Sequence, residues 1–124
     1  AGATTNPDLY VVRLLPNGAL DPNLSADGKA IIDVGTQDRA YGFVRLASGD
    51  LAIVGTSTGH DLTLVRLDSA GSPLSGFASD GVVSLPRNKP ARAFTLVEQT
   101  GKLLLIGAEL EGSQVRAVSA SVFD

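Results

Sequence analysis

The chain contains one histidine, His60, and it stands directly before Asp61. A histidine held by a carboxylate can act as a general base, because its ordinary pKa lies near neutral pH. However, Asp61 recurs earlier in the chain as Asp8, where Pro7 takes the place of His60. We therefore favour a turn role for Asp61 and an exposed loop position for His60 over catalysis.

Two pairs of arginines recur at a spacing of 53 residues, Arg13 with Arg66 and Arg39 with Arg92. An arginine at the same place in successive repeats typically ties neighbouring units together through carboxylates or loop carbonyls. The alternative is an inward ring of guanidinium groups that binds an acidic ligand. The recurrence favours the structural role.

Oxygen-bearing side chains alternate between Asp21 and Asp27, faintly as in a calcium-binding loop. The segment lacks the usual glycine at the sixth position, and Ile32 stands where the bidentate glutamate belongs. The second copy has Leu74 in place of Asp21 but keeps Asp80-Gly81. This pattern favours a turn in which Asp accepts bonds from its own backbone and Gly adopts a positive φ. We expect no metal and no cofactor.

The composition excludes several further functions. The chain has 124 residues, which suits one domain, and it has no cysteine, which excludes a disulfide framework and a thiol nucleophile. A net charge of −3 argues against nucleic acid and against an anionic membrane surface. No apolar run approaches the roughly 18 residues of a membrane-spanning helix. We expect neither a nucleic-acid partner nor a membrane span.

The sequence repeats with a period of about 53 residues. Three segments return in the same order: residues 8–14 at 61–67, residues 39–44 at 92–97, and residues 49–55 at 101–107, the last with a spacing of 52. Each period is predicted to form four short strands, because β-branched and Leu-rich runs alternate with Gly, Asp and Ser turns. The predicted strands of the complete period lie near residues 41–46, 51–55, 62–67 and 82–85. Helix content should be close to nil.

Four antiparallel strands per period of about 50 residues indicate a blade of a β-propeller. Blades pack face to face, which accounts for the continuously apolar runs at residues 51–54 and 103–106. The fold class is therefore all-β, with propeller-type four-stranded antiparallel blades. A two-sheet sandwich is the alternative, but it gives no reason for the period.

The same segments resemble the bacterial delta-60 repeat, whose pattern combines a turn with DGK, an apolar strand, a D-x-x-L-x-R strand, G-S-L-D and DG. The first copy matches through Gly18-Ala19-Leu20-Asp21 and Asp27-Gly28, whereas the second has Gly71-Ser72-Pro73-Leu74. The third copy, residues 115–119, lacks both the leading Asp and the Arg. The resemblance implies a β-propeller in a secreted or envelope bacterial protein and implies no particular chemistry.

The phase of the repeat divides the chain into three parts. Residues 1–35 should supply strands three and four of a first blade, residues 36–88 a complete blade, and residues 89–124 strands one to three of a third. This is about two and a third blades, whereas closed propellers need about four or more. We therefore expect other blades, of a longer protein or of further copies, to complete a ring.

The function that these observations favour is a non-catalytic scaffold or recognition segment. Its ligand, a protein or a glycan, would bind over a rim of loops near residues 36–39, 56–61, 87–92 and 108–113. The candidate ligand-binding residues are Asp38, Arg39, His60, Asp61 and Arg92. The first alternative is a propeller hydrolase or lyase whose site another chain completes, with His60, Asp61 and Arg39 contributing. The second is a purely architectural segment that only closes a ring.

Overall fold

The computed structural model describes residues 7–57, 61–78, 80–85, 91–111 and 114–123. These residues form nine β-strands, and within them no residue is helical. The strands are β1 (Leu9–Val12), β2 (Lys29–Ile32), β3 (Arg39–Arg45), β4 (Leu51–Ser57), β5 (Asp61–Leu67), β6 (Val82–Leu85), β7 (Ala91–Gln99), β8 (Lys102–Glu111) and β9 (Gln114–Phe123). In the part of the chain so described, no helix is long and apolar enough to cross a membrane.

The strands form three antiparallel sheets with the orders β1-β2, β3-β4-β5-β6 and β7-β8-β9. We call them the first, middle and third sheets. The all-β prediction is confirmed, and the four strands predicted for the complete period lie in the four-stranded middle sheet. The arrangement of such sheets as blades of a closed ring stays a prediction.

The four predicted rim loops overlap the ends of strands, and the largest overlap is at residues 108–113. Residues 108–111, expected on the rim, belong to β8, which pairs with β9 as far as Glu111↔Gln114. The third hairpin is therefore longer than the β4–β5 hairpin, whose last pair is Ser57↔Asp61. The backbone polar groups of residues 108–111 are satisfied by this pairing, which removes the need for a loop.

The turns that follow β1 and β5 share one hydrogen-bond pattern at a spacing of 53 residues. Arg13 N donates to Gly28 O at 3.0 Å, and Arg66 N donates to Gly81 O at 2.8 Å. Both glycines have a φ of +82°, a conformation that side chains disfavour. The sequence repeat is thus also a repeat of backbone geometry.

The middle sheet buries both of its faces. Leu51 and Ile53 of β4 pack in one core with residues of the first sheet, Leu9 and Ile32 among them. Ala52 and Val54, which alternate with them, pack in a second core with residues of the third sheet: Leu96, Leu103 and Leu105. This two-sided burial explains why β4 is apolar at successive positions, and all seven of its residues are buried.

Candidate functional site

In an antiparallel sheet, the start of one strand lies beside the end of its neighbour, so each sheet has two ends that differ in the residues they carry. We call the rim end the end at which β1, β3 and β5 begin and β2, β4 and β6 end. The opposite end, which carries the turns after β1, β3 and β5, is called the turn end. Asp38 precedes β3, Arg39 begins β3 and Asp61 begins β5, so these predicted residues lie at the rim end.

Asp38 is buried, with 3% of its surface exposed, and each of its carboxylate oxygens accepts a hydrogen bond from the chain. Ser57 Oγ donates to its Oδ1 at 2.6 Å, and Val34 N donates to its Oδ2 at 2.7 Å. Its own amide donates to Pro7 O at 2.9 Å. Asp38 therefore holds the connection between the first and middle sheets against the end of β4, which is a structural task at the predicted rim.

The other predicted rim residues differ in how they are placed. The side chain of Arg39 is exposed and available to solvent. The backbones of Asp61 and Arg92 pair with those of Ser57 and Ala108, respectively. The structure describes the backbones of Asp61 and Arg92 but not their side chains. His60 is outside the described residues altogether, so its catalytic and binding roles stay predictions.

A cluster of three aspartates lies at the rim end and was not predicted from the sequence. The carboxylates of Asp8, Asp33 and Asp38 lie within 4.8 Å of one another, and the first two are exposed. The β1–β2 pairing could have predicted part of this group. Leu9 pairs with Ile32, so Asp8 and Asp33, which flank that pair, lie side by side. Carboxylate oxygens suit hard cations, but both oxygens of Asp38 already accept hydrogen bonds. The cluster by itself does not define a metal site.

At the turn end, the predicted structural role of the recurring arginine is confirmed for Arg13. Its Nε donates to Asp21 Oδ2 at 2.8 Å, and its Nη1 donates to Ser69 O, in the turn after β5, at 2.8 Å. Arg13 thus links the first sheet to the middle sheet. Arg66, its equivalent, instead approaches Asp50 Oδ2 at 3.5 Å and lies 5.8 Å from the centre of the Phe77 ring.

The segment resembling a calcium loop uses its carboxylates on its own turn. Asn23 N donates to Asp21 Oδ1 at 2.9 Å, and Lys29 N donates to Asp27 Oδ1 at 3.0 Å. The bond from Asn23 is the main cause that lowers the pKa of Asp21, and the nearby Arg13 guanidinium acts in the same direction. These contacts match the turn predicted from the sequence, in which aspartates accept hydrogen bonds from nearby backbone amides.

A groove runs between β1 of the first sheet and the adjacent face of the middle sheet. Its larger part has a volume of about 590 Å³ and is lined by Val12, Arg13, Phe43 and Arg45 among others. A smaller part of about 240 Å³ shares Val12 and Phe43 and extends towards Ile53. Sequence reasoning missed this groove because its walls come from two different sheets.

No protein-family model and no curated protein matches this chain. The functional argument therefore rests on the geometry of the sheets, the rim end and the groove.

Proposed function

We propose that this chain is a non-catalytic scaffold and recognition segment of the β-propeller type, belonging to a secreted or envelope bacterial protein. Other blades, or further copies of the chain, complete a ring, and the rim end binds a protein or a glycan. The delta-60 resemblance of the repeat motifs is the reason for the cellular location.

The observation that carries this proposal is the two-sided burial of the middle sheet. In a β-sandwich each sheet buries one face and exposes the other to solvent. Here Ile53 and Val54, adjacent on β4, enter separate cores, each shared with a different neighbouring sheet. Stacking of successive sheets along the chain is the arrangement of consecutive propeller blades.

The rim end is the side on which we expect recognition. Exposed charged residues of both signs lie at this end: Asp8 and Asp33, which approach each other, and Arg39, which begins β3. The opposite end is occupied by turns that bond to one another, such as Ser25 N to Ala70 O at 2.8 Å. Polar groups that the protein does not use internally are the ones a ligand can engage.

The test is binding of the full chain to a printed panel of bacterial polysaccharides and to a panel of immobilised extracellular proteins. The variant is Arg39→Glu, and the matched control is Lys29→Glu, at the turn end; both residues are exposed. Binding that Arg39→Glu abolishes and Lys29→Glu preserves supports recognition at the rim end. Absence of binding to both panels, or loss only with Lys29→Glu, contradicts it.

A further inference from the structure

The groove beside β1 contains an aromatic side chain whose repeat equivalent is covered. Phe43 is 55% exposed, whereas Leu96, 53 residues later, is 5% exposed. Leu96 packs in the core formed by the middle and third sheets, which includes Val44 and Ala52 of the β3–β4 hairpin. Phe43 faces the first sheet, which in the described residues has only two strands.

The strand next to the groove also lacks a neighbour on one side among the described strands. β1 pairs with β2 alone, whereas its repeat equivalent β5 pairs with both β4 and β6. An unpaired strand edge presents a row of free N–H and C=O groups that can bind another strand. A hairpin added to β1 would pair with this edge and would at the same time cover Phe43, as β3–β4 covers Leu96.

The charge at the groove indicates what such a hairpin carries in its turn. In the middle sheet the β3–β4 turn holds Asp50, whose carboxylate approaches Arg66 at 3.5 Å. Arg13 occupies the equivalent position beside the groove, where it already bonds to Asp21 Oδ2 and Ser69 O and keeps 30% of its side chain exposed. An acidic residue in the turn of the added hairpin would bring a second carboxylate to this guanidinium group.

The same comparison argues against a second copy of this chain as the occupant. The hairpin that a copy could offer at this position is β7–β8, and it carries Lys102 where β3–β4 carries Asp50. Lys102 would bring a positive charge to Arg13, which is unfavourable. In addition, β8 already pairs with β9 from Leu103 to Glu111.

We propose that the groove binds an antiparallel β-hairpin of a partner segment, which pairs with the edge of β1 that no described strand occupies, places aliphatic side chains over Phe43 and carries a carboxylate in its turn towards Arg13. This inference rests on the proposed function, because it identifies the element that completes the first sheet. Binding combines main-chain hydrogen bonds, as in other cases of strand addition, with burial of the exposed ring.

The experiment measures amide hydrogen exchange in the full chain with and without a synthetic peptide of residues 36–57, which carries the β3–β4 hairpin. A second form of the peptide, cyclised through a D-Pro-Gly turn, is preorganised as a hairpin and avoids the entropy cost of folding. At saturating peptide, the β1 amides that do not bond to β2 should exchange at least about tenfold more slowly.

Two variants make the result specific. Phe43→Glu in the chain should abolish the protection, and the chain should stay folded because Phe43 is largely exposed. The change Asp50→Lys in the peptide should weaken binding by about three- to tenfold, because it replaces an attraction to Arg13 with a repulsion.

Unchanged exchange of the β1 amides with both peptide forms would overturn the proposal. So would equal affinity for the Asp50→Lys peptide, or protection of β1 in the chain alone that rises with its own concentration, which would identify a second copy as the occupant. Phe43→Glu tests the groove, whereas Arg39→Glu tests the rim end. The two variants therefore separate failure of this inference from failure of the proposed function.

Discussion

The closest approach of two strands in the middle sheet predicts a strong effect for Gly55→Ala. Gly55 of β4 pairs with Ala40, where β3 has an irregular register between Ala40 and Gly42. A Cβ atom on Gly55 would collide with Arg39 O and would lie 2.8 Å from the Arg39 carbonyl carbon. These are backbone atoms, so no side-chain rotation can relieve the contact.

The magnitude follows from the displacement that is needed. The backbone of β3 must move away from β4, which strains the β3–β4 pairs at the rim end of the middle sheet. We expect a loss of about 3 kcal/mol in the free energy of unfolding, at the upper end for overpacking of a buried site. For a domain of this size that corresponds to a fall in Tm of about 12 °C.

The assay is thermal and urea unfolding followed by circular dichroism, with Gly76→Ala as the matched control. A Cβ on Gly76 meets no atom within 4 Å, and its φ lies outside the positive region. The control should therefore leave stability unchanged or raise it by about 0.4–1 kcal/mol through the unfolded state. If Gly55→Ala melts within about 2 °C of the unmodified chain, the close approach does not constrain the sheet as argued.

Three further perturbations test the packing and the two ends of the sheets. Leu24→Ala removes a fully buried side chain from the core between the first and middle sheets and should lower the free energy of unfolding in urea by about 2–5 kcal/mol. Leu15→Ala, at an exposed position, should lower it far less. Equal losses for the two variants would contradict the presence of Leu24 in this core. The pKa of Asp21 is lowered in the folded chain, so its stabilising contribution is present above the ordinary value of 3.8 and is lost as the pH falls through the lower folded pKa. Urea midpoints of the chain and of Asp21→Asn should therefore differ near neutral pH and converge in acid, and a constant difference would refute the assignment. Asp38→Ala removes the carboxylate that accepts bonds from Ser57 Oγ and Val34 N, and it should lower the free energy of unfolding in urea by about 1–3 kcal/mol. Asp38→Asn, which keeps an acceptor oxygen, should lower it less.

The two arginines at the turn end show how far the role of a residue can be predicted from its equivalent in another copy of the repeat. Arg13 and Arg66 were assigned one structural task, and Arg13 does link two sheets through Ser69 O. Arg66 has a different partner because Leu74 stands where the first copy has Asp21, and a leucine cannot accept a hydrogen bond. Equivalent positions share a backbone, but their side-chain contacts depend on what each copy places beside them.

The rim end shows that the sequence did not predict which polar residues are buried. The sequence predicts Asp38 as a ligand-binding residue because it lies in a connection between repeats at the rim of loops. Its burial comes from Ser57 and Val34, which approach it only when β4 and the 33–38 connection are packed together. The acidic group with Asp8 and Asp33 arises in the same way, since a strand and its hairpin partner bring together residues that are 25 positions apart.

The amino-acid sequence by itself determined the repeat and the four strands of the middle sheet with their turns, because these follow from local preferences: apolar runs for strands and Gly or Asp for turns. Val82–Leu85 was located correctly although it has only four residues. Only the tertiary structure decided which faces are covered. Phe43 and Leu96 occupy equivalent positions in the sequence, yet one is exposed and the other buried, because burial depends on the strands that the neighbouring sheet contributes. The groove beside β1 exists for that reason.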